Sequence, residues 1–346
     1  MLTDKQVAFL REELATAKNP LFFYDGDADG LTAFLLLYRI HREGKGISLT
    51  TTSTLGEPFL RKVEELNPDK IFVLDIPLMT QEFLDAVRRP VFWIDHHPVQ
   101  DRKGVHYFNP RIKDPDAYIP TSRMAWQISE RAEDLWIATA GSLADWHMPT
   151  FIDQFIEQYP DLLPEKSDLT TTVFKSPVGK LVKFFFFVQK GPQGDVRKSI
   201  KILTRINSPR EIFNEESAAG KFLFRRFYII NNKYEEVLAK AKAVVTTGKV
   251  ILYSYTEQEW SFTVNLANEL IALNPTKYVI IARKKGGEMK CSLRGKEVLS
   301  ILQKALVAVN GSGGGHNDAC GAVIKEEDWD LFLRNFKEAA NSSSQE

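Results

Sequence analysis

The chain has 346 residues, 44% of them hydrophobic and 26% charged, with 45 Lys+Arg balanced by 45 Asp+Glu. That length can bury a sizeable core in about two domains, and a net charge of zero excludes a general nucleic-acid coat protein. The two cysteines, Cys291 and Cys320, are too few for a disulfide framework, so a reducing, cytoplasmic setting is expected.

The chain opens on an amphipathic helical pattern, MLTDKQVAFLREELATAKNP, whose scattered charges do not suit a signal peptide. Residues 20–24 predict a short apolar strand and 31–42 a helix. Residues 46–54 predict a strand, 58–66 a helix, 70–74 (within KIFVLD) a strand, 80–87 a helix and 90–94 (within PVFWID) a strand. Such alternation implies a parallel sheet with helices on both faces. Helical patterns follow at 121–131 and 135–146. Residues 160–210 are less regular: YPDLLPEKSD reads as a boundary and KGPQGD as a hairpin or loop tip. Phe184–Phe187 could stack bases, but four consecutive aromatics are better satisfied as a strand in a two-sided core. A long helical pattern at 217–245 reads as a connector. A second α/β unit follows: strand 250–255, helix 262–273, strands 278–283 and 289–293, helix 298–307, a glycine-rich turn, and a Ser-rich tail at 342–344. The longest apolar runs, 32–38 and 181–188, fall well short of the ~18 residues that cross a bilayer, so no membrane association is expected.

Charge is unevenly spread. Residues 1–174 carry 18 Lys+Arg against 27 Asp+Glu, residues 175–226 carry 12 against 4, and the remainder carries 15 against 14. Bound cations would reduce the first imbalance. An anionic substrate could use the second, which otherwise reads as a solvated basic face.

The acidic half places its chemistry just past its strands. In FFYDGDADGLTA, Asp25, Asp27 and Asp29 alternate directly behind an apolar run. Alternate residues there can converge on one pocket, and Gly26 and Gly30 permit a tight backbone. Like charges so close repel one another, and divalent cations between them make the cluster favourable. Asp75 ends another strand, as does Asp95-His96-His97. In open parallel sheets, ligands gather at this rim. Singly, DGDADG could be a calcium loop or a turn, Asp75 a helix cap, and DHH a capped turn with a core histidine. Together they are a cluster of carboxylates and imidazoles that suits Mn²⁺ or a similar borderline metal better than Ca²⁺.

The set DGDADGLTA, VLDIP, WIDHHP and GSLADWH resembles the four motifs of the DHH phosphoesterase superfamily. CSLRG (291–295) and GSGGGHNDACGAVI (311–324) resemble its DHHA1 substrate-binding domain. The resemblance leaves about 160–245 unassigned. It implies an N-terminal parallel-sheet DHH domain at 1–165, a basic middle segment and connector helix at 166–246, and a smaller α/β DHHA1 domain at 247–340. It implies two divalent metal ions, Mn²⁺ with Mg²⁺ as the alternative, held by Asp27, Asp29, Asp75, His96 and Asp145, with Asp75 bridging and catalytic. Asp25 stands where some members have histidine, as a metal ligand or a group behind one. His97 would sit beside the bridging hydroxide and the scissile phosphate as the second catalytic residue. His147 departs from the motif and reads as a surface or core histidine.

In the DHHA1 part, Arg294 and Ser292 would bind phosphate, and Gly313, Gly314, Gly315 and His316 would approach a phosphate or base. The implied activity is exonucleolytic hydrolysis of single-stranded DNA or RNA, short oligonucleotides included, to 5′-mononucleotides. The alternatives are hydrolysis of a cyclic or linear dinucleotide or a 3′-phosphoadenosine nucleotide, and a non-catalytic replication scaffold. Partners compatible with this reading are single-stranded nucleic acid, a second copy of the chain, and replication or repair proteins.

Overall fold

In the computed structural model, which describes residues 1–50, 52–244, 246–256 and 260–342, the short apolar runs of the first half are the strands of one sheet. Thr51 in the predicted strand at 46–54, Val245 at the end of the predicted connector, and residues 343–344 of the Ser-rich tail lie outside the described residues.

The first helix, α1 (Asp4–Ala15), is capped reciprocally by Thr3 and Gln6. Then come β1 (Leu21–Asp25), α2 (Ala28–His41), β2 (Lys45–Leu49), β3 (Thr54–Leu55), α3 (Leu60–Leu66), β4 (Ile71–Leu74), β5 (Leu78–Met79), α4 (Gln81–Val87), β6 (Val91–Ile94) and β7 (His106–Phe108). The run at 46–54 therefore divides between two strands. The main sheet has the order β2-β1-β4-β6-β7 and is parallel throughout.

The twofold alternation of a strand decides which side chain meets which layer. Leu21, Phe23, Ile71, Val73, Val91 and Trp93 join Val63 of α3 and Phe83 of α4 in one core. On the opposite face Phe22, Phe72, Phe92 and His106 stand in register across four strands and stack at centroid spacings of 5.3, 5.0 and 5.1 Å. Phe34 of α2 meets Phe22 edge-on at 5.6 Å. Each such aromatic pair contributes about 0.5–1.5 kcal/mol beyond burial, which holds the strand ends in fixed relation.

The chain continues through α5 (Thr121–Ser129), α6 (Leu135–Ala144) and α7 (Ile152–Gln158). The middle segment, irregular by sequence, is helical: α8 (Leu169–Lys175), α9 (Val178–Phe187), α10 (Gln193–Leu203) and α11 (Pro209–Phe213). Of the two readings of KGPQGD the loop tip holds and the hairpin does not, because residues 190–192 lie between two helices and α10 begins at Gln193. Another expectation fails. Phe184–Phe187 is the last turn of α9, not a strand. Lys180, Lys183 and Phe186 recur every third residue on the partly exposed side, while Val178, Leu181, Val182, Phe184, Phe185 and Phe187 are buried around a wide apolar arc.

Buried Arg39 of α2 ties this segment to the core. It donates to Asp134 Oδ1 (2.8 Å) and to the carbonyls of Thr204 (3.0 Å) and Ile206 (2.8 Å), and both charged side chains are fully buried. The long helix α12 (Ala218–Lys242) follows. The chain divides into two compact units, Met1–Tyr228 and Ile229–Glu346.

The second unit comprises β8 (Val250–Thr256), α13 (Thr263–Leu273), β9 (Tyr278–Lys285), β10 (Glu288–Arg294), α14 (Val298–Ala305), β11 (Gly311–His316), β12 (Ala319–Lys325) and α15 (Trp329–Ser342). Its sheet, β11-β12-β10-β9-β8, is mixed, with β8 and β9 parallel and the other pairs antiparallel. Ile280, Leu293, Leu302, Phe332 and Phe336 lie in its core. The predicted glycine-rich turn is instead the edge strand β11. A Cβ on Gly311 would meet Ile324 Cδ1 at 2.7 Å, and one on Gly313 would meet the Gly321 carbonyl at 2.8 Å, so glycine lets this edge lie close on β12. Among the described residues, no helix is long and apolar enough to cross a membrane.

Candidate metal centre

The carboxyl ends of β1, β4 and β6 carry the acidic and imidazole side chains expected from the sequence. Asp25 is the last residue of β1. Asp27 caps α2, accepting from Gly30 N (2.9 Å), and Asp29 lies in the first turn. Asp75 follows β4 in the left-handed region (φ +61°), and its N–H donates to the Ile94 carbonyl (3.0 Å). A non-glycine residue held there stores strain of about 1–3 kcal/mol. Asp145 ends α6, and Trp146 after it is also left-handed (φ +55°), its ring against Phe174.

These side chains meet in three overlapping groups: Asp25 with Asp27 and Asp75, Asp29 with His96 and Asp145, and Asp75 with His96 and His97. Within each group one ligand atom per residue lies within 4.8 Å of the others. Asp75 is common to two groups, and His96 Nε2 is 3.2 Å from Asp75 Oδ1 and 3.7 Å from Asp145 Oδ2.

Burial, then the charge of Asp27, pushes Asp25 and Asp29 up to about 7. Asp75 and Asp145 are raised well above the carboxylate range, by burial first and then by Asp29 and Asp27. Asp145 Oδ2 is buried with no hydrogen-bond donor among the described residues. Half-buried to buried, mutually repelling carboxylates with an orphaned oxygen are a donor set that could hold a cation. Oxygen donors with imidazole fit Mn²⁺ or Mg²⁺.

Several supporting residues were not assigned from sequence. Asp95, fully buried, accepts from His97 Nδ1 (2.7 Å) and His97 N (3.2 Å). Burial pulls the His97 imidazole down, but Asp95, with Asp27 and Asp25 behind it, raises it overall. Thr121 N and Ser122 N, at the start of α5, donate to the two oxygens of Asp29 at 2.7 and 2.9 Å, and Thr121 Oγ1 donates to Asp75 (3.2 Å). The signal was Pro120 before a helical pattern, since the first amides of a helix are unpaired donors that suit an anion. Tyr118 packs edge-on against His96 at 5.5 Å. Gln189, just past α9, donates to the Asp27 carbonyl. His147 N donates to the Ser142 carbonyl, and burial, then Arg123, lowers its imidazole.

In the second unit the expected substrate residues are partly committed. Ser292 is buried and donates to Thr263 Oγ1 (3.0 Å). Arg294 gives Nε to Asn268 (2.6 Å) and Nη1 to the carbonyls of Leu293 and Cys320, and burial lowers it to about 10. Its Nη2 has no such partner among the described residues. Gly313, Gly314, Gly315 and His316 all lie exposed on β11. A Cβ on Gly314 would meet nothing within 4 Å, whereas Gly313 and Gly315 pack on β12.

Comparison with known proteins agrees with both units. Residues 248–342 match the family model of the DHHA1 domain. No curated protein sequence matches the chain significantly. Among solved structures, the chain is similar to RecJ from Thermus thermophilus in complex with Mn²⁺ (TM-score 0.69, 17% identity), covering 98% of this chain and 54% of that one. It therefore spans about half the length of that protein. It is also similar to exonuclease RecJ bound to manganese (TM-score 0.63, 17% identity, 97% and 94% covered). A third similar structure is the DHH domain of a member of the s1p family of ribosomal proteins (TM-score 0.65, 13% identity, 96% and 89% covered). Residues 248–342 are a DHHA1 domain, and the chain that carries it has the fold of RecJ and its DHH relatives.

Proposed function

We propose that the protein is a metal-dependent phosphodiesterase that trims single-stranded DNA or RNA, short oligonucleotides included, to 5′-mononucleotides. The observation that carries this reading is the donor set of seven side chains in overlapping groups that share Asp75 and His96. Asp25, Asp27 and Asp75 would hold one divalent cation, and Asp75, Asp29, His96 and Asp145 a second. Such a pair, when bound, lowers the pKa of a water and stabilises charge on a phosphoryl group.

The chain's own residues supply the rest. Asp95 fixes the His97 ring through Nδ1, so Nε2 is the nitrogen that presents a proton to a nonbridging phosphate oxygen or the leaving group. By raising the imidazole, Asp95 favours the form that carries a proton on both nitrogens. Thr121 and Ser122 orient Asp29 with backbone amides that need no rearrangement. In the second unit, Arg294 Nη2 and the exposed side of β11 at Gly314 and His316 are the proposed grip on phosphate or base. A non-catalytic scaffold is the weaker reading, because such a protein has no need of a complete donor set.

The test is incubation with Mn²⁺ or Mg²⁺ and end-labelled DNA and RNA ladders of about 2–24 nucleotides, beside cyclic dinucleotides. Mononucleotide release that EDTA stops and that Asp75→Asn abolishes is expected. Turnover in EDTA, or full activity of Asp75→Asn, refutes the assignment. Activity confined to cyclic or linear dinucleotides would replace the exonuclease reading with a dinucleotide hydrolase.

A further inference from the structure

The middle segment, residues 175–226, carries 12 Lys+Arg against 4 Asp+Glu. Some of this charge is used internally. Arg226 pairs with Asp195 (3.1 Å) and donates to the Lys190 carbonyl (2.9 Å), and Arg210 pairs with Asp161. Much of the remainder converges on α12. Lys221, Arg225 and Tyr228 are exposed at i, i+4 and i+7, one face of that helix. Tyr228 is 55% exposed, an aromatic ring set among cations.

Phe224 and Phe222 flank this stripe, and each carries a lysine from a neighbouring helix. Lys180 of α9 lies 5.0 Å over Phe224 and 4.7 Å over Phe213, and Lys198 of α10 lies 4.5 Å over Phe222. Arg197 and Lys201 extend the exposed charge along α10. No acidic residue occurs between Ala218 and Tyr228. The segment also adjoins the metal loop directly, since Gln189 donates to the Asp27 carbonyl.

We infer that this face is a binding surface for single-stranded nucleic acid, which extends the substrate grip beyond the cleaved end. The inference rests on the phosphodiesterase reading above. Lys180, Lys198, Lys221 and Arg225 contact successive phosphates, and Tyr228 stacks a base. Cations pinned on aromatic rings lose less rotamer freedom when they meet a phosphate. Interleaved basic and aromatic side chains are how proteins hold a single strand without reading its sequence. An acidic protein partner would use the charges but not the exposed ring.

The experiment uses the full chain with Mn²⁺ and hydrolysis-resistant phosphorothioate strands of about 3 and 24 nucleotides, as DNA and as RNA. The variants are Lys198→Gln/Lys221→Gln/Arg225→Gln together, and Tyr228→Ala alone. The triple variant is expected to weaken 24-mer binding by about tenfold or more. It should flatten the slope of log K against log salt by about 2, at about 0.7 for each phosphate no longer neutralised. Tyr228→Ala is expected to weaken it by about fivefold or more. Both should keep 3-mer binding and bis(p-nitrophenyl) phosphate hydrolysis within about twofold of the parent.

Unchanged affinity and slope in both variants overturn the surface. So does a parent protein that hydrolyses the small diester but binds the 24-mer no more tightly than the 3-mer, and so does tighter binding of polyglutamate than of either 24-mer. A protein that hydrolyses neither the small diester nor any oligonucleotide overturns the catalytic reading instead, and with it the assignment of this face as substrate grip.

Discussion

Removing divalent cations should make the protein progressively less stable as the pH rises, and Asp29 sets the scale. Its side chain is 1% exposed. Burial, and then Asp27, carries its carboxyl from 3.8 up to about 7, although the Ser122 and Thr121 donors pull the other way. A group raised in the folded state binds more protons there than in the unfolded chain. Its contribution is fully present below about pH 4 and is lost as the pH climbs through about 7. A rise of that size corresponds to about 4 kcal/mol by pH 8 for this one carboxyl. Asp25, Asp75 and Asp145 shift in the same direction. Bound cations reverse the penalty by favouring the ionised forms. Urea unfolding with EDTA, and separately with Mn²⁺ or Mg²⁺, across pH 5–8 measures it. The difference between the two curves cancels titrations elsewhere. Between pH 5 and pH 8 it should widen by about 3 kcal/mol for Asp29 alone, the rest of the loss falling below pH 5. A gap that stays flat or narrows as the pH rises refutes the reasoning.

Asp95→Asn keeps the shape at His97 but removes the charge that raises it. Turnover should fall about 10–100-fold, taking a charged hydrogen bond as about 1.5–3 kcal/mol, and the alkaline limb of the pH–rate profile should move to lower pH. An unmoved limb would separate Asp95 from His97. Arg39→Met removes one of the two guanidinium partners of a fully buried Asp134, leaving Arg131 at 3.0 Å, and takes the donor from the carbonyls of Thr204 and Ile206. Urea denaturation should show a loss of about 2–4 kcal/mol, chiefly from the orphaned buried groups. Gly313→Ala and Gly314→Ala should differ. A methyl on Gly313 meets Gly321 O at 2.8 Å and Ala322 Cβ at 2.9 Å, costing about 1–3 kcal/mol. A methyl on Gly314 meets open space, so stability should stay within about 0.5 kcal/mol while KM for oligonucleotides rises.

The strands of the first sheet and the carboxylates and imidazoles gathered at its rim were legible because one sequence signal served both. Each short apolar run is buried on two faces, and each ends where the backbone reaches the rim. Asp25, Asp75 and His96 are therefore found by position as well as by residue type. The middle segment offered no such coincidence. In α9 four phenylalanines in a row erase both periodicities, and the lysines at 180 and 183 that mark the helical face are only two. β11 was misread because glycine signals turns and close approach alike, and only the partner strand reveals which. The supports of Asp29 were hidden for another reason. They are main-chain amides of Thr121 and Ser122, which the side chains of those residues do not reveal, and only Pro120 ahead of the helical pattern points to them.

Those two amides decide how an inert form of the protein should be made. Asp29 joins the first turn of α2 to the first turn of α5 across 92 positions of sequence, so it serves as a structural rivet as well as a proposed metal donor. Its removal would leave two inward-facing N–H groups without an acceptor, and loss of function there would be indistinguishable from loss of fold. Asp145 sits at a helix end with one oxygen already lacking a donor. An amide at that position is the better choice for trapping an uncut strand on an intact protein.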